Sequence, residues 1–127
     1  MKILETAKDS KQPVDHGKAV TLALLAFEKQ PADLADHLGI TRQHLHRMKD
    51  QKSIHPDRLD KIAEFFGITL EELLSVAATP VTWMVRHQGD RVCEYLRNKN
   101  PKHGQYVKNI EDMYYSLWHQ IHQLELS

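Results

Sequence analysis

The chain has little of what marks secreted and membrane-spanning proteins. Its single cysteine, Cys93, cannot form an intramolecular disulfide, which excludes a disulfide-stapled scaffold. Its longest apolar run, residues 19–27, is interrupted by Thr21 and falls well short of the roughly 20 residues that span a bilayer. Charges interrupt the first residues before any hydrophobic region of a signal peptide develops. These absences predict a cytoplasmic protein with no membrane segment.

Net charge is also absent, because 17 basic residues balance 17 acidic ones. The chain therefore offers no overall attraction for a polyanion, but one segment is basic. Between Thr41 and Lys52 a single acid, Asp50, accompanies four cations: Arg42, Arg47, Lys49 and Lys52. A protein that docks on DNA through one face needs to be basic only there. By charge alone, an ordinary solvated helix face is an equal alternative.

Residues 31–49 give this basic segment a structural context. Leu34, Leu38, Ile40, Leu45 and Met48 supply the apolar side of two crossing helices. Ala35 allows a close crossing, and Gly39 can take the positive φ of a sharp interhelical turn. The spacing predicts a helix-turn-helix whose second helix carries the cations.

The local signals on either side predict a compact helical domain. Helix one is expected over residues 15–29, apolar on nearly every side, so that other elements must cover it. Pro31 suits the first turn of helix two, and Thr41 is the expected N-cap of helix three. His55 and Pro56 should begin helix four, which Gly67 ends, and Thr69 with Glu72 forms a capping box for helix five.

The helix-turn-helix and the apolar spacing of residues 57–74 are similar to the Cro/C1-type (XRE) family. The resemblance implies an all-α, five-helix, lambda-repressor-like domain over residues 15–77. Outside it, the polar, non-periodic first residues predict a flexible arm (1–14), and the residues after the domain predict a helical extension (78–127) that we expect to mediate oligomerisation. It also implies a regulator of transcription that binds double-stranded DNA as a homodimer, with helix three in the major groove.

The orientation of helix three assigns the candidate contacts. If Leu45 and Met48 face the core, then Arg42, Gln43, His46 and Arg47 project outward, where they can reach base edges. Similarity to the family implies that Arg42, Gln43 and Arg47 read bases, and His46 is a further candidate. The residues expected to contact phosphates are Gln30, Thr41, His44, Lys49 and Lys52.

Two positions depart from the family pattern. Pro31 stands where a phosphate-binding glutamine is common, so Gln30 is the expected substitute. Lys49, Asp50 and Gln51 stand where Glu-Asn-Gly is common. The turn after helix three thus lacks its glycine, which predicts a different loop path or backbone strain at Gln51.

The extension leaves more than one interpretation open. Thr79 and Pro80 resemble a helix start, and the following stripe is broken by Gly89, so a helix or a short hairpin turning at Gln88–Gly89 both fit. After a break at residues 98–101, a second stripe has the spacing of a seam for another helix: Val107, Ile110, Tyr114, Leu117, Ile121 and Leu124. This seam either packs on helix one of the same subunit or forms the contact between subunits.

No cofactor, metal site or enzymatic activity is expected. The nine histidines, among them His119 and His122, lack the carboxylates or cysteines that would complete a ligand cluster, so solvated histidines are the better interpretation. No pairing of nucleophile and base has a telling spacing. Two other classes of function stay open: an antitoxin-like module whose extension binds a protein partner, and a structural interaction protein that has lost DNA binding.

Overall fold

The computed structural model describes residues 14–127. The arm expected over residues 1–14 therefore lies outside the described residues, apart from Val14. Every regular element in the described range is helical, which confirms the all-α expectation. The elements are α1 (His16–Ala26), α2 (Pro31–Leu38), α3 (Arg42–Lys49), α4 (Pro56–Phe66), α5 (Leu70–Ser75), α6 (Pro80–Lys99), a 3-10 turn (Pro101–His103) and α7 (Gly104–Leu126).

Helices α1 to α5 pack around one hydrophobic core. Its fully buried side chains include Val20, Leu34, Leu45, Ile62 and Leu73, one from each of the five helices. The predicted caps stand at the helix ends. The Thr41 hydroxyl accepts a hydrogen bond from the His44 amide at 3.0 Å, and Thr69 and Glu72 form the reciprocal capping box of α5. These local contacts fix where each short helix begins.

The turn between α2 and α3 depends on glycine. Gly39 ends α2 with φ 68°, a left-handed conformation, and its amide donates to the Asp36 carbonyl at 3.1 Å. The Ile40 amide donates back to the Ala35 carbonyl at 3.0 Å. This closed turn sets α3 across α2.

Helix α1 is shorter than expected. It ends at Ala26 and not at residue 29, because the chain turns at Glu28, whose φ is 53°. The Glu28 amide donates to the Leu25 carbonyl and the Lys29 amide to the Leu24 carbonyl, which closes the last turn of the helix. Among the described residues Glu28 is the only non-glycine with a positive φ.

The strain expected at Gln51 is therefore absent from the turn that follows α3. Asp50 caps α3 in a right-handed conformation, with φ −89°, and no residue of the turn has a positive φ. The Gln51 and Lys52 carbonyls of this turn accept hydrogen bonds from the start of α1.

The extension is a pair of antiparallel helices, which we call the hairpin (α6, the 3-10 turn and α7). Helix α6 runs without a break through Gly89, so a turn at Gln88–Gly89 is wrong. Gly89 is buried where α6 crosses α7: a Cβ built on it would lie 2.8 Å from Cγ of Tyr114. A close crossing, and not a turn, explains this glycine.

The partner of α7 differs from the one expected within the subunit. Helix α7 packs along α6, and α6, in turn, packs against α1. The Phe27 ring that follows α1 lies 5.9 Å from the Trp83 ring and 5.4 Å from the His87 ring. The apolar surface of α1 is thus covered by α6, so packing of the Val107–Leu124 seam on helix one is wrong.

Candidate nucleic-acid interface

Helix α3 buries one side and exposes the other. Leu45 and Met48 are only 1% and 2% exposed and anchor the helix in the core. Arg42, Gln43, His44, His46 and Arg47 are all exposed. The buried residues recur at a spacing of three, so the exposed ones occupy the rest of the helix surface over both turns. No part of the described hairpin covers this flank.

A shallow concavity gathers several of the predicted contacts beside the start of α2. Five candidate residues line it: Gln30, Arg42, Gln43, His46 and Lys49. Pro31 and Ala32 form the opposite wall. Gln30 thus lies next to the base-reading candidates on α3, although its side chain makes no capping hydrogen bond to α2. His44, Arg47 and Lys52 lie outside the concavity.

The remaining candidates lie at the two ends of α3. Thr41 is exposed, but its hydroxyl oxygen already accepts the His44 amide as an N-cap. Lys49 is half-buried in the last turn, and Lys52 is exposed in the turn beyond it. None of the four cations of this segment forms an ion pair with an acid among the described residues; they are Arg42, Arg47, Lys49 and Lys52. Their charges are therefore available to an external anion.

The start of α1 holds the turn that carries Lys52, a contact that the sequence did not suggest. The Gly17 amide donates to the Gln51 carbonyl at 2.8 Å, and the His16 amide donates to the Lys52 carbonyl at 3.1 Å. The Ile54 amide donates to Nδ1 of His16 at 2.9 Å. Amides of a first helical turn have no partner within their own helix, and here they bind the chain just after α3.

Gly17 permits this contact because it has no side chain. A Cβ at residue 17 would lie 2.6 Å from the Gln51 carbonyl oxygen and closer still to that of Lys49. The only signal in the sequence is a glycine in the first turn of a helix, which by itself does not identify what lies opposite it.

The six predicted oligomerisation residues divide into two sets. Val107 is 3% exposed and is buried within the hairpin. Tyr114 packs against Gly89 of the same chain but is only half-buried, and it lines a hollow with Met113 and Leu117. Ile110 and Ile121 are half-buried, whereas Leu117 and Leu124 are 47% and 75% exposed.

The single cysteine of the chain, Cys93, has a structural role. Cys93 is buried between α6 and α7, and burial raises the pKa of its thiol. It therefore acts as a small apolar side chain.

Residues 14–127 contain no group of three or more His, Cys, Asp or Glu side chains arranged to hold a metal ion. Within the same range, no helix has the length and apolar character needed to cross a bilayer.

The third helix of this small bundle is anchored by two apolar residues and turns a basic flank to solvent. This is the arrangement of a helix-turn-helix DNA-binding domain. Residues 28–78 match the Cro/C1-type HTH DNA-binding domain. The match covers 51 of the 127 residues, less than half of the chain, and shows what this segment is similar to. The match begins after α1 and ends before α6. No curated protein and no solved structure matches the chain.

Proposed function

We propose that this protein is a sequence-specific transcriptional regulator, of repressor type, that binds a double-stranded operator as a homodimer. The supporting observation is the orientation of α3. Leu45 and Met48 hold it from behind, and its Arg- and Gln-bearing flank is open over its whole length. A helix of about 10–12 Å diameter fits the major groove of B-DNA.

Four side chains read bases in this proposal: Arg42, Gln43, His46 and Arg47. Arg42 and Gln43 belong to the first turn of α3, and His46 and Arg47 lie one turn further on the same flank. Arginine pairs bidentately with guanine O6 and N7, and glutamine with adenine N6 and N7. Each good pair discriminates against a wrong base by about 1–3 kcal/mol.

The phosphate contacts surround that reading flank. Gln30 lies beside the start of α3, Thr41 and His44 lie in its first turn, and Lys49 and Lys52 follow its end. Such contacts fix the position of the protein along the duplex and carry no sequence information. The turn that holds Lys52 is itself fixed by hydrogen bonds from His16 and Gly17.

Two copies are needed for one operator. A single eight-residue helix contacts only a few base pairs, and two such helices must stand about 34 Å apart to enter successive major grooves on one side of the DNA. We therefore place the homodimer contact in the extension, away from α3. The proposal therefore divides the chain near residues 14 and 77, with the DNA-binding domain between these boundaries and the subunit contact after the second one.

The decisive experiment selects bound duplexes from a random pool and then compares Gln43→Ala with Lys52→Ala. Gln43→Ala should relax the preference at one base position. Lys52→Ala should weaken binding to specific and random duplexes about equally and reduce the slope of log affinity against log salt by about one per subunit. Lys102→Ala, an exposed lysine in the 3-10 turn, is the control and should change neither property.

Two results would contradict this proposal. If Gln43→Ala and Lys52→Ala lose the same affinity on specific and on random DNA, the reading flank is misassigned. If the wild-type chain shows no salt-sensitive binding to any duplex, the helix-turn-helix has a structural role only.

A second candidate function is supported by the distribution of exposed apolar side chains. Apart from Leu25, every large hydrophobic residue that is exposed in the described chain lies in α6 or α7. An antitoxin-like protein would use such a surface to bind a partner and would use α3 to regulate its own synthesis. Co-purification of a second, different polypeptide in a fixed ratio would favour this candidate.

A further inference from the structure

The contacts between α6 and α7 define two sides of the hairpin. Four side-chain pairs join the helices: Thr82 with Glu125, Arg86 with Trp118, Gly89 with Tyr114, and Arg97 with Glu111. Successive residues of a right-handed helix are rotated by about 100°. The two helices run in opposite directions. In both of them, therefore, the residue one position before each paired residue lies on one side of the hairpin, and the residue one position after it lies on the other side.

One side of the hairpin faces the DNA-binding domain. Trp83 and His87, which follow Thr82 and Arg86, contact the Phe27 ring at the end of α1. Arg91 on this part of α6 forms an ion pair with Glu28. The other side turns away from these contacts, and only Gln88 at its edge borders a hollow that it shares with Leu25 and Ala26 of α1.

That second side, which we call the outer face, is largely apolar, and no other described element packs on it. It consists of the residues that precede the contact pairs. Met113 is 71% exposed, Leu124 75%, Leu117 47% and Val81 45%, and the rest are half-buried. Gln88, which precedes Gly89, is its exposed polar member, and its apolar members are Val81, Val85, Val92, Leu96, Ile110, Met113, Leu117 and Leu124.

The edge of the outer face carries no charge along α7. Asn109, Ser116 and Gln120 border it there, and all three are exposed. Lys108, Asp112 and His119 lie on the opposite side of the helix. In a two-fold symmetric contact each surface meets a copy of itself, so a charged strip would face its own charge. The outer face carries a charge only at the end of α6, where Lys99 continues the stripe of Val92 and Leu96, so this repulsion is small.

We propose that a second copy of this chain docks on the outer face, hairpin against hairpin, to form a four-helix bundle. The proposal rests on the homodimer of the proposed function and assigns its surface. Helices of 20 and 23 residues give a face about 30 Å long and about 20 Å wide. This footprint of about 600 Å² in projection is comparable with the roughly 800 Å² that each partner of a stable dimer buries.

This dimer leaves both reading helices free. Helix α3 packs near the start of α1 through the contacts of Gly17, whereas the hairpin packs at its end through Phe27. The outer face lies on the far side of the hairpin from both. Two copies joined there leave both α3 helices outside the contact, as binding of one dimer to two half-sites requires.

Three variants of the full chain test the proposal by light scattering, with helix content checked by circular dichroism. Wild type should have twice the 14.8 kDa mass of one chain. Leu117→Asp and Leu124→Asp should each raise the dimer dissociation constant by about a thousandfold, because every dimer loses two buried leucines. The matched control is Leu126→Asp, since Leu126 is 59% exposed but follows Glu125 and so lies on the opposite side. It should remain a dimer.

Every result of the light-scattering experiment either supports or overturns the proposed dimer. A wild-type monomer at micromolar concentration overturns the proposal and leaves the outer face to a different protein. A dimer that survives both Leu117→Asp and Leu124→Asp also overturns it. Failure of the proposed DNA contacts is separate, because it would show in Gln43→Ala and Lys52→Ala while the mass of the dimer stayed unchanged.

Discussion

At the scale of single residues, the position of the turn after α3 depends on two residues of α1 that are far from it in sequence. His16 accepts the Ile54 amide through Nδ1 at 2.9 Å, which requires the tautomer whose proton is on Nε2. Gly17 has no side chain and lets the start of α1 reach the Gln51 carbonyl. Together they satisfy backbone groups that neither α1 nor the turn after α3 can satisfy alone.

We predict that Gly17→Ala destabilises the domain. The added methyl would lie 2.6 Å from the Gln51 carbonyl oxygen, and a backbone atom cannot move aside as a flexible side chain can. The expected loss is about 2–3 kcal/mol in the free energy of unfolding, measured by urea denaturation. Gly104→Ala is the control, because a Cβ there would meet nothing within 4 Å. Equal stability of the two variants would show that the turn can shift freely.

At the scale of helices, the end of the hairpin is held by Glu125 of α7. Its carboxylate accepts hydrogen bonds from the Val81 amide at 3.0 Å, the Thr82 amide at 2.7 Å and the Thr82 hydroxyl at 2.5 Å. Thr79 was expected to cap α6, but its hydroxyl donates to the Ser75 carbonyl instead. The N-terminus of α6 is therefore capped by the last turn of α7, and the two helices close on each other.

This cap makes the stability of the hairpin depend on pH. Burial alone would raise the pKa of Glu125, but the hydrogen bonds from Thr82 and Val81 outweigh it, so its pKa is lowered. A lowered pKa contributes stability that is complete above the unfolded value, near 4.3, and is lost as the pH falls through the folded value. At pH 7, Glu125→Gln should be about 1–2 kcal/mol less stable than wild type.

The measurement is urea denaturation of both proteins from pH 7 to pH 3. The difference between wild type and Glu125→Gln should shrink below about pH 4.3. Glu94→Gln changes an exposed carboxylate of α6 and should stay within about 0.5 kcal/mol of wild type at pH 7. A difference between wild type and Glu125→Gln that stays constant with pH would show that the ionised carboxylate does not cap α6.

Gly89 gives a second test of the hairpin. In an exposed helix interior, alanine is more stable than glycine by about 1 kcal/mol. Here we expect Gly89→Ala to lower stability by about 1–2 kcal/mol, since the methyl would lie 2.8 Å from the Tyr114 ring. The loss should shrink when Tyr114→Ala is present, in a double-mutant cycle followed by urea denaturation. A stabilising Gly89→Ala would mean that the helices are not in close contact there.

These cases show which elements the sequence predicts and which it does not. Caps and turns such as Thr69 with Glu72 act between residues three or four apart, so α2 to α5 and the exposed flank of α3 follow from local pattern. The partner of α7 depends on a crossing between Gly89 and Tyr114, and the position of Lys52 depends on Gly17. Such contacts join residues far apart in the chain, and a glycine signals a close approach without naming its partner.

At the scale of the whole molecule, charge and apolar surface are separated. Net charge is zero, yet four cations that form no ion pair lie on α3 and the turn after it: Arg42, Arg47, Lys49 and Lys52. Apart from Leu25, the exposed large apolar residues lie on the hairpin. This separation fits the proposed DNA contact and the proposed contact between subunits. Four cations and one acid give residues 41–52 a net charge of +3, so the rest of the neutral chain carries −3, which limits attraction to DNA to the side that carries α3.

We predict that dimer formation sets the salt dependence of operator binding. Each subunit neutralises its own set of phosphates, so a dimer that engages both half-sites releases about twice as many counterions as a monomer. Leu117→Asp should therefore about halve the slope of log affinity against log salt on a palindromic operator. Fluorescence anisotropy between about 50 and 200 mM salt measures that slope, and Leu126→Asp should keep the wild-type value. An undiminished slope for a Leu117→Asp monomer would mean that only one subunit of the wild-type protein contacts the operator at a time.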